Sequence, residues 1–574
     1  MSQCNQASRK VRQKRERHQS ISCVIVMELA IIYCVCLIIA AFHTPKGAEA
    51  LQKADAGIPM EYETALFDAS RVHTIDIQIK EKDWEDLKEN ALAKEYHDCT
   101  VVIDDETYHH VGVRTKGNST LLQSIVRDWD RHSLVFDFSA FNASQRYHEL
   151  DKMSIYNNAC DSSYLKNMIC YDMMRKMGVP TPLCSYTTVY LNGEYLGLYI
   201  AMEGVEESFA VRNFGHDYGQ LYKPEQFDLA AILNGTTNSD VCINLEVLAT
   251  NGSIEISELL EIPDGVVALQ YMGDSLDTYI ELWDSAIFKI GKNDKKRLVQ
   301  SIKNINLCEN LSDTVDMEEL ASYFAVHNFV LNTDGYTTKM GHNYYLYEKD
   351  GKLQMIPWDY DQTLGTVGAV GDQGDITSFI NLAIDTPVLH TSMEERPMLN
   401  CLLKDENGKS LYHEALQELL DTYLYNGYLE EYIDMYVELI TPYVEKDTTA
   451  QITMEKFNAA VESIKTFFDL RSQSIQGQLD GAIPSTTEEQ QRSPETLIDA
   501  SEFSSPDSGT FFDMIFPENS EIGLEDALRN LNLNLAVLIN MLPVNHLIQL
   551  SSENGFFPKL VDFSFQLKSQ QFGF

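Results

Sequence analysis

Apolar and polar residues alternate over 72–79 and then recur at helical spacing through Trp84, Leu87 and Ala91, which predicts a strand followed by a helix over 80–92. The period then returns to two. Residues 99–103 and 108–115 read as a hairpin about Asp104-Asp105-Glu106, and its second strand runs into Lys116-Gly117-Asn118-Ser119. Residues 132–138 form a further strand. Asp161-Ser162-Ser163 supplies cap residues for a helix through Lys176, along which Leu165, Met168, Ile169 and Met173 repeat every three or four positions before Gly178 and Pro180 end it. Residues 185–191 and 194–202 flank Asn192-Gly193, a strong two-residue hairpin signal, and 220–223 is a short strand.

The second half is more helical. An irregular acidic stretch over 228–306 holds helical patterns near 276–287 and 294–302, and it reads as an insertion or a connection between lobes. A clearer helix spans 317–331, a hairpin of 343–347 and 352–357 turns at Asp350-Gly351, and helical patterns occupy 410–420, 429–444 and 454–479. The mixture predicts an α+β domain over about 70–482. Residues 483–509 are rich in Ser, Thr, Pro, Glu and Asp and read as a disordered linker, with a tail of unassigned role over 510–574. No repeat of solenoid length is present.

Charge changes the picture at both ends of the argument. The 574-residue chain carries 86 acidic side chains against 44 Lys plus Arg, a formal net charge of −42, which argues against nucleic acid as a partner. The first twenty residues run the other way, with Arg9, Lys10, Arg12, Lys14, Arg15 and Arg17 opposed only by Glu16. An apolar run over 21–42 follows, long enough as a helix to span roughly 30 Å of hydrocarbon. The expectation is a single-pass anchor with the basic arm, 1–20, in the cytoplasm and the domain outside the cell membrane; the alternative is a signal peptide cut after Ala48-Glu49-Ala50 and a secreted protein. The body's seven cysteines are scattered, without CxxC or Cys/His spacing, and most are expected to be buried apolar residues, with no disulfide framework or zinc site implied.

Chemistry-bearing residues concentrate in one block: Asn332-Thr333-Asp334-Gly335, then His342-Asn343, then Pro357-Trp358-Asp359-Tyr360-Asp361. Asp334 lies beyond a helix, Asn343 opens a hairpin and Asp359 follows it, so three oxygen-bearing side chains can converge at one sheet end. Hard oxygen donors on irregular backbone suit Mg²⁺, and Asp, Asn, Asp is the order expected where one Asp orients a hydroxyl and the other two hold metal for phosphoryl transfer. Asp361 is a second ligand or a turn former, and paired carboxylates would also suit a glycosidase. Lys116 beside Gly117 could approach a phosphate, or simply end a hairpin. Lys223 could reach into a cleft, and Glu203, at the end of a strand, could pair with a lysine.

Taken together, several segments resemble the CotH spore-coat kinases: Gly112-Val113-Arg114-Thr115-Lys116-Gly117-Asn118-Ser119; Asn157-Asn158 with Asp161, Ser163 and Lys166; Leu191-Asn192-Gly193-Glu194-Tyr195-Leu196-Gly197-Leu198-Tyr199 with Glu203; Gly219-Gln220-Leu221-Tyr222-Lys223; and the 332–361 block. The resemblance implies an atypical, bilobal protein-kinase-like fold that transfers the γ-phosphate of ATP, with Mg²⁺ or Mn²⁺, to Ser or Thr of a protein substrate. It makes Asp334 the catalytic base, Asp359 the metal aspartate, and Asn343 and Asp361 supporting ligands. It also makes Lys116 and Lys223 candidates for the nucleotide phosphates, with Glu203 partnering one of them. The family often shows arginine where this chain has Lys166, and a guanidinium fork is not reproduced by an ammonium. A kinase-like surface or coat-associated binding protein without turnover is the competing class. The protein substrate and the oligomeric state are not legible in the residues.

Overall fold

The computed structural model describes residues 57–126, 129–225, 242–243, 260–261, 265–366, 376–450 and 452–507. The chain divides into one unit of Met1–Ile58 with Asn213–Gly215 and another of Pro59–Arg212 with His216–Phe574; the elements that carry the site belong to the second.

Seven strands of that second unit close into a barrel in the order β1-β2-β3-β4-β5-β7-β6. They are β1 (His73–Gln78), β2 (His97–Ile103), β3 (Glu106–Thr115), β4 (Leu134–Asp137), β5 (Lys152–Tyr156), β6 (Cys184–Leu191) and β7 (Glu194–Glu203). Neighbours are antiparallel except at the seam, where β1 runs parallel to β6 with Ile75 opposite Val189. The alternation read in the sequence is what fills the barrel. Ile75, Ile77, Val101, Ile103, Val111, Val113, Phe136, Met153, Ile155, Val189 and Ala201 form one buried cluster, each large side chain adding about 1.5–3 kcal/mol. Helix α1 (Glu81–Glu89) buries Trp84 and Leu87 against it, as its spacing predicts. Helix α2 (Ser119–Val126) and α3 (Lys166–Lys176) follow β3 and β5.

Beyond the barrel, the short strand β8 (Gln220–Tyr222) joins a three-stranded sheet in the order β12-β11-β8, built on the hairpin β11 (Tyr344–Lys349) and β12 (Lys352–Pro357). Two-residue strands β9 (Cys242–Ile243) and β10 (Leu260–Glu261) pair separately. Helices α4 (Lys292–Leu307), α5 (Met317–Phe329), α6 (Pro397–Lys404), α7 (Glu406–Leu419), α8 (Tyr428–Val444) and α9 (Met454–Leu479) supply the rest of the packing. The α+β expectation holds, with the strand-rich part closed on itself.

One expectation changes, one strand is new, and one expectation falls outside the described residues. Strand β5 was not legible because Met153, Ser154, Ile155 and Tyr156 are all buried, so its two faces show no polar alternation. Residues 483–507 are not a disordered linker. Helix α10 (Thr487–Arg492) forms there, Ile483, Ala500 and Phe503 are buried, and the polar side chains bond to the core: Ser485 Oγ donates to Asp385 (2.6 Å) and Gln490 Nε2 to the Asn381 carbonyl (2.9 Å). Composition shows polarity but not which partners the polar groups meet. The anchor expected over 21–42 lies outside the described residues, as does the tail from 508 onward; among the described residues no helix is long and apolar enough to cross a membrane. Cys99, Cys160, Cys170, Cys184 and Cys401 are buried free thiols, as expected.

Candidate functional site

Strand β3 ends at Thr115 and the chain turns through Gly117, whose φ of +96° belongs to the left-handed region that glycine enters without strain. The turn leaves Lys116 at the end of the barrel, its amide bonded to the Ser133 carbonyl (2.8 Å). The Lys116 ammonium lies 3.8 Å from the Tyr156 ring centroid and 5.5 Å from that of Trp358, and donates to Asp359 Oδ2 at 3.2 Å. An ammonium boxed by two aromatic faces keeps a favourable field while shedding water. Burial pushes its pKa down and the charge of Lys223 adds to that, against the pull of Asp359 and Asp361. Lys223, just past β8, lies 5.9 Å from the same Trp358 ring and pairs with Glu225. The structure therefore brings both candidate lysines to one indole.

Asp359 follows β12 with φ +59°, a left-handed backbone that is rare outside glycine. It therefore does not continue the strand, and Asp361 follows it on a loop rather than on extended backbone. Two side chains of α3 hold this loop: Tyr171 OH accepts from the Asp359 amide and Asn167 Oδ1 from the Tyr360 amide, both at 3.0 Å. Tyr360 is fully buried, with its hydroxyl 2.7 Å from His327 Nδ1 on α5.

Helix α5 is capped by Asp316, whose carboxylate accepts from the Glu319 amide, and it delivers the chain to Leu331 (φ +50°) and Asp334. The loops carrying Asp334 and Asp361 are stitched together: the Thr333 hydroxyl donates to the Gln362 carbonyl (3.0 Å) and the Leu364 amide to the Val330 carbonyl (3.0 Å). Asp334 receives Asn343 Nδ2 (2.8 Å) and Gln362 Nε2 (3.1 Å) on Oδ2, and its Oδ1 lies 2.7 Å from His342 Nε2. Burial works against the His342 cation, yet Asp334, then Glu225 and Asp359, outweigh it and raise the imidazole's pKa. Three of the predicted residues, Asp334, Asn343 and Asp359, thus line one region with Asp361. That carboxyl is pushed up by burial and by the charge of Asp359, only partly offset by Lys116.

Glu203 is placed elsewhere. It is fully buried and accepts from Arg212 Nε (3.0 Å) and Nη2 (2.6 Å), the Leu183 amide (3.0 Å) and the Tyr62 hydroxyl. Its partner is an arginine nine residues on rather than either candidate lysine. Tyr156, Gln362 and Glu225 contribute to the site although the sequence did not single them out, and His342 and Trp358, quoted within the block, had been given no role. The position of Tyr156 just before Asn157-Asn158, and of Trp358 just before Asp359, was the available signal.

A family model described as CotH kinase protein matches residues 113–475. The chain belongs to the CotH kinase protein family. It is also 23% identical over 359 residues to the inner spore coat protein H of Bacillus subtilis (strain 168), a match covering 62% of this chain and 85% of that protein. The match to the CotH model takes in Lys116, Lys223, Asp334, Asn343, Asp359 and Asp361, and it stops before the ordered segment 483–507.

The family description implies a divalent cation and ATP. Among the described residues no three His, Cys, Asp or Glu side chains form a closed metal cage. Mg²⁺ does not need one, because it binds through one or two carboxylates and keeps waters and phosphate oxygens for the rest of its octahedron. Asp359 and Asp361 are two carboxylates on one loop that could serve as such a pair, Asp361 being buried beside the charge of Asp359. The residues present fit the group.

Proposed function

We propose that this protein is an ATP- and Mg²⁺-dependent protein kinase acting on Ser or Thr hydroxyls, with a bilobal kinase-like fold displayed on the non-cytoplasmic side of a membrane. The observation that carries the reading is the contact of the Lys116 ammonium with Asp359, with Asp361 and Lys223 around it. Two ammoniums beside two carboxylates make a site for a polyanion together with its counter-cation. Asp359 and Asp361 would hold the cation. Asn343 spends its Nδ2 on Asp334, leaving Oδ1 as its one donor atom toward a metal. A bound cation would supply neutralisation of the charge on the transferring phosphate.

Lys116 and Lys223 orient the phosphates, and the Tyr156 and Trp358 rings keep water from the Lys116 ammonium. Asp334 accepts the proton of the substrate hydroxyl on its carboxylate while that oxygen bonds to the γ-phosphorus and the bond to the β–γ bridging oxygen breaks, releasing ADP. His342, Asn343 and Gln362 fix the carboxylate's orientation, which is worth rate because a misplaced base loses most of its effect. The displayed orientation is supported by the basic arm before residues 21–42, and an association with a coat is suggested by the name of the Bacillus subtilis relative.

The test is transfer of labelled γ-phosphate to Ser/Thr acceptor peptides by the detergent-solubilised full chain. Asp334→Ala is expected to lower kcat about 100- to 10,000-fold with ATP affinity little changed, the range for loss of a general base. Asp359→Ala is expected to abolish Mg²⁺-dependent transfer. Calorimetry showing no Mg²⁺–ATP binding by the unaltered chain would instead favour a kinase-like binding protein without turnover.

A further inference from the structure

The segment beyond the family match returns to the site. Its near end is fixed where Ser485 and Asp385 exchange two bonds, the Ser485 hydroxyl to the carboxylate (2.6 Å) and the Asp385 amide to the Ser485 carbonyl (2.8 Å). Its middle is fixed where the Ile498 amide donates to Asn381 Oδ1 (3.1 Å) and the Ala500 amide to Thr377 Oγ1 (3.2 Å). Its far end touches the two structures that set the Asp359–Asp361 loop. Phe503 packs on Phe467 and lies over Gly365, where an added methyl would come within 2.8 Å of its ring. Asp507 accepts from Lys166 Nζ (3.0 Å) and from the Ser162 amide (3.0 Å) and hydroxyl, with Lys456 Nζ at 3.6 Å.

The Lys166–Asp507 pair is 2% and 6% exposed, so each charge depends on the other. Lys166 is the first residue of α3, its second donor bond goes to the Cys160 carbonyl (3.0 Å), and its amide is held by Asp161 (2.9 Å). The next residue, Asn167, and Tyr171 one turn further are the side chains that hold the Tyr360 and Asp359 amides. A carboxylate from residue 507 is therefore joined to the candidate metal loop through one helical turn, and Phe503 meets the same loop from the Gly365 side.

We infer that residues 483–507 are a strap that positions the Asp359–Asp361 loop, with Asp507 acting through Lys166 and α3, and Phe503 through Gly365. Neither residue touches nucleotide or substrate; both are positioning residues. The strap's effect on catalysis rests on the kinase reading above, whereas its effect on the loop does not.

The experiment is hydrogen–deuterium exchange of the full chain, paired with Mg²⁺–ATP calorimetry. Asp507→Asn is expected to speed exchange of the Asp359 and Tyr360 amides by about tenfold or more while the barrel strands stay protected, and Asp507→Glu is expected to restore protection. Mg²⁺–ATP affinity should fall by about 10- to 100-fold in Asp507→Asn, the usual cost of losing a supporting partner of a ligand set. Phe503→Ala leaves the ion pair intact and covers the case in which Asp507→Asn does not fold; exchange at Leu364–Thr366 should rise. Unchanged exchange over 359–366 in both variants, or a rise shared equally by the barrel, would overturn the strap. A responsive loop in a chain whose unaltered form binds no Mg²⁺–ATP would support the strap and overturn the kinase reading.

Discussion

Lys116 shows what a single position contributes. Its ammonium is held by the Tyr156 and Trp358 rings as well as by Asp359, so Lys116→Met removes a charge-assisted bond and leaves a carboxylate without its cation. The expected result is Mg²⁺–ATP binding weaker by about 10- to 100-fold, the scale of one hydrogen bond to a charged group, read by calorimetry. Glu203 makes the opposite case. Glu203→Gln breaks a buried pair with Arg212, so a loss of about 3–5 kcal/mol in urea unfolding is expected, with nucleotide affinity unchanged if the protein is still folded. The two outcomes separate a site residue from a structural one that the same family resemblance had put forward. Asp334, Asn343 and Asp359 could be located from sequence because each follows or opens a periodic element. Arg212 could not be matched to Glu203, because pairing of two buried charges depends on which walls face each other and leaves no period behind.

At the level of elements, β2 and helix α1 were legible because one face of each is wet, whereas the β6–β7 and β11–β12 hairpins, largely buried on both faces, were legible through their Asn192-Gly193 and Asp350-Gly351 turns, a cue that β5 lacks. Strand β5 was hidden because both its faces are covered. The strap was hidden because its apolar residues are few and widely spaced, and its polar ones bond to backbone that only the fold brings near. Asp385, where the strap starts, carries a measurable signature. Burial opposes its charge, but bonds from His413 (2.7 Å), Lys409 (2.7 Å) and Ser485 (2.6 Å) prevail and hold its carboxyl at about 2, below the ordinary 3.8. A folded-state value below the unfolded one means the contribution is complete above about pH 4 and disappears as the pH falls toward 2. Roughly 2 kcal/mol of acid sensitivity is therefore assigned to this group. Asp385→Asn should lower stability at pH 7 and flatten the decline between pH 4 and pH 2, as followed by urea midpoints.

On the scale of the whole chain, the net charge of −42 surrounds a pocket that would take an anionic nucleotide. Self-repulsion of that size is relieved by salt, so raising ionic strength from about 10 mM to about 150 mM should increase Tm. The described part of the domain includes the strap up to residue 507. A fragment of 57–482 loses the strap and should melt below one of 57–507, the comparison being made by calorimetry on the two purified pieces. The family match begins at Val113, inside β3, and this has a practical consequence for the barrel seam between β1 and β6. Cutting there discards β1, β2 and most of β3, leaving β4 and β6 with bare rows of amides and carbonyls that another copy can complete. Light scattering should find such a piece clumping where the longer ones stay dispersed: kinship in sequence starts halfway round a hoop, and half a hoop cannot hold itself shut.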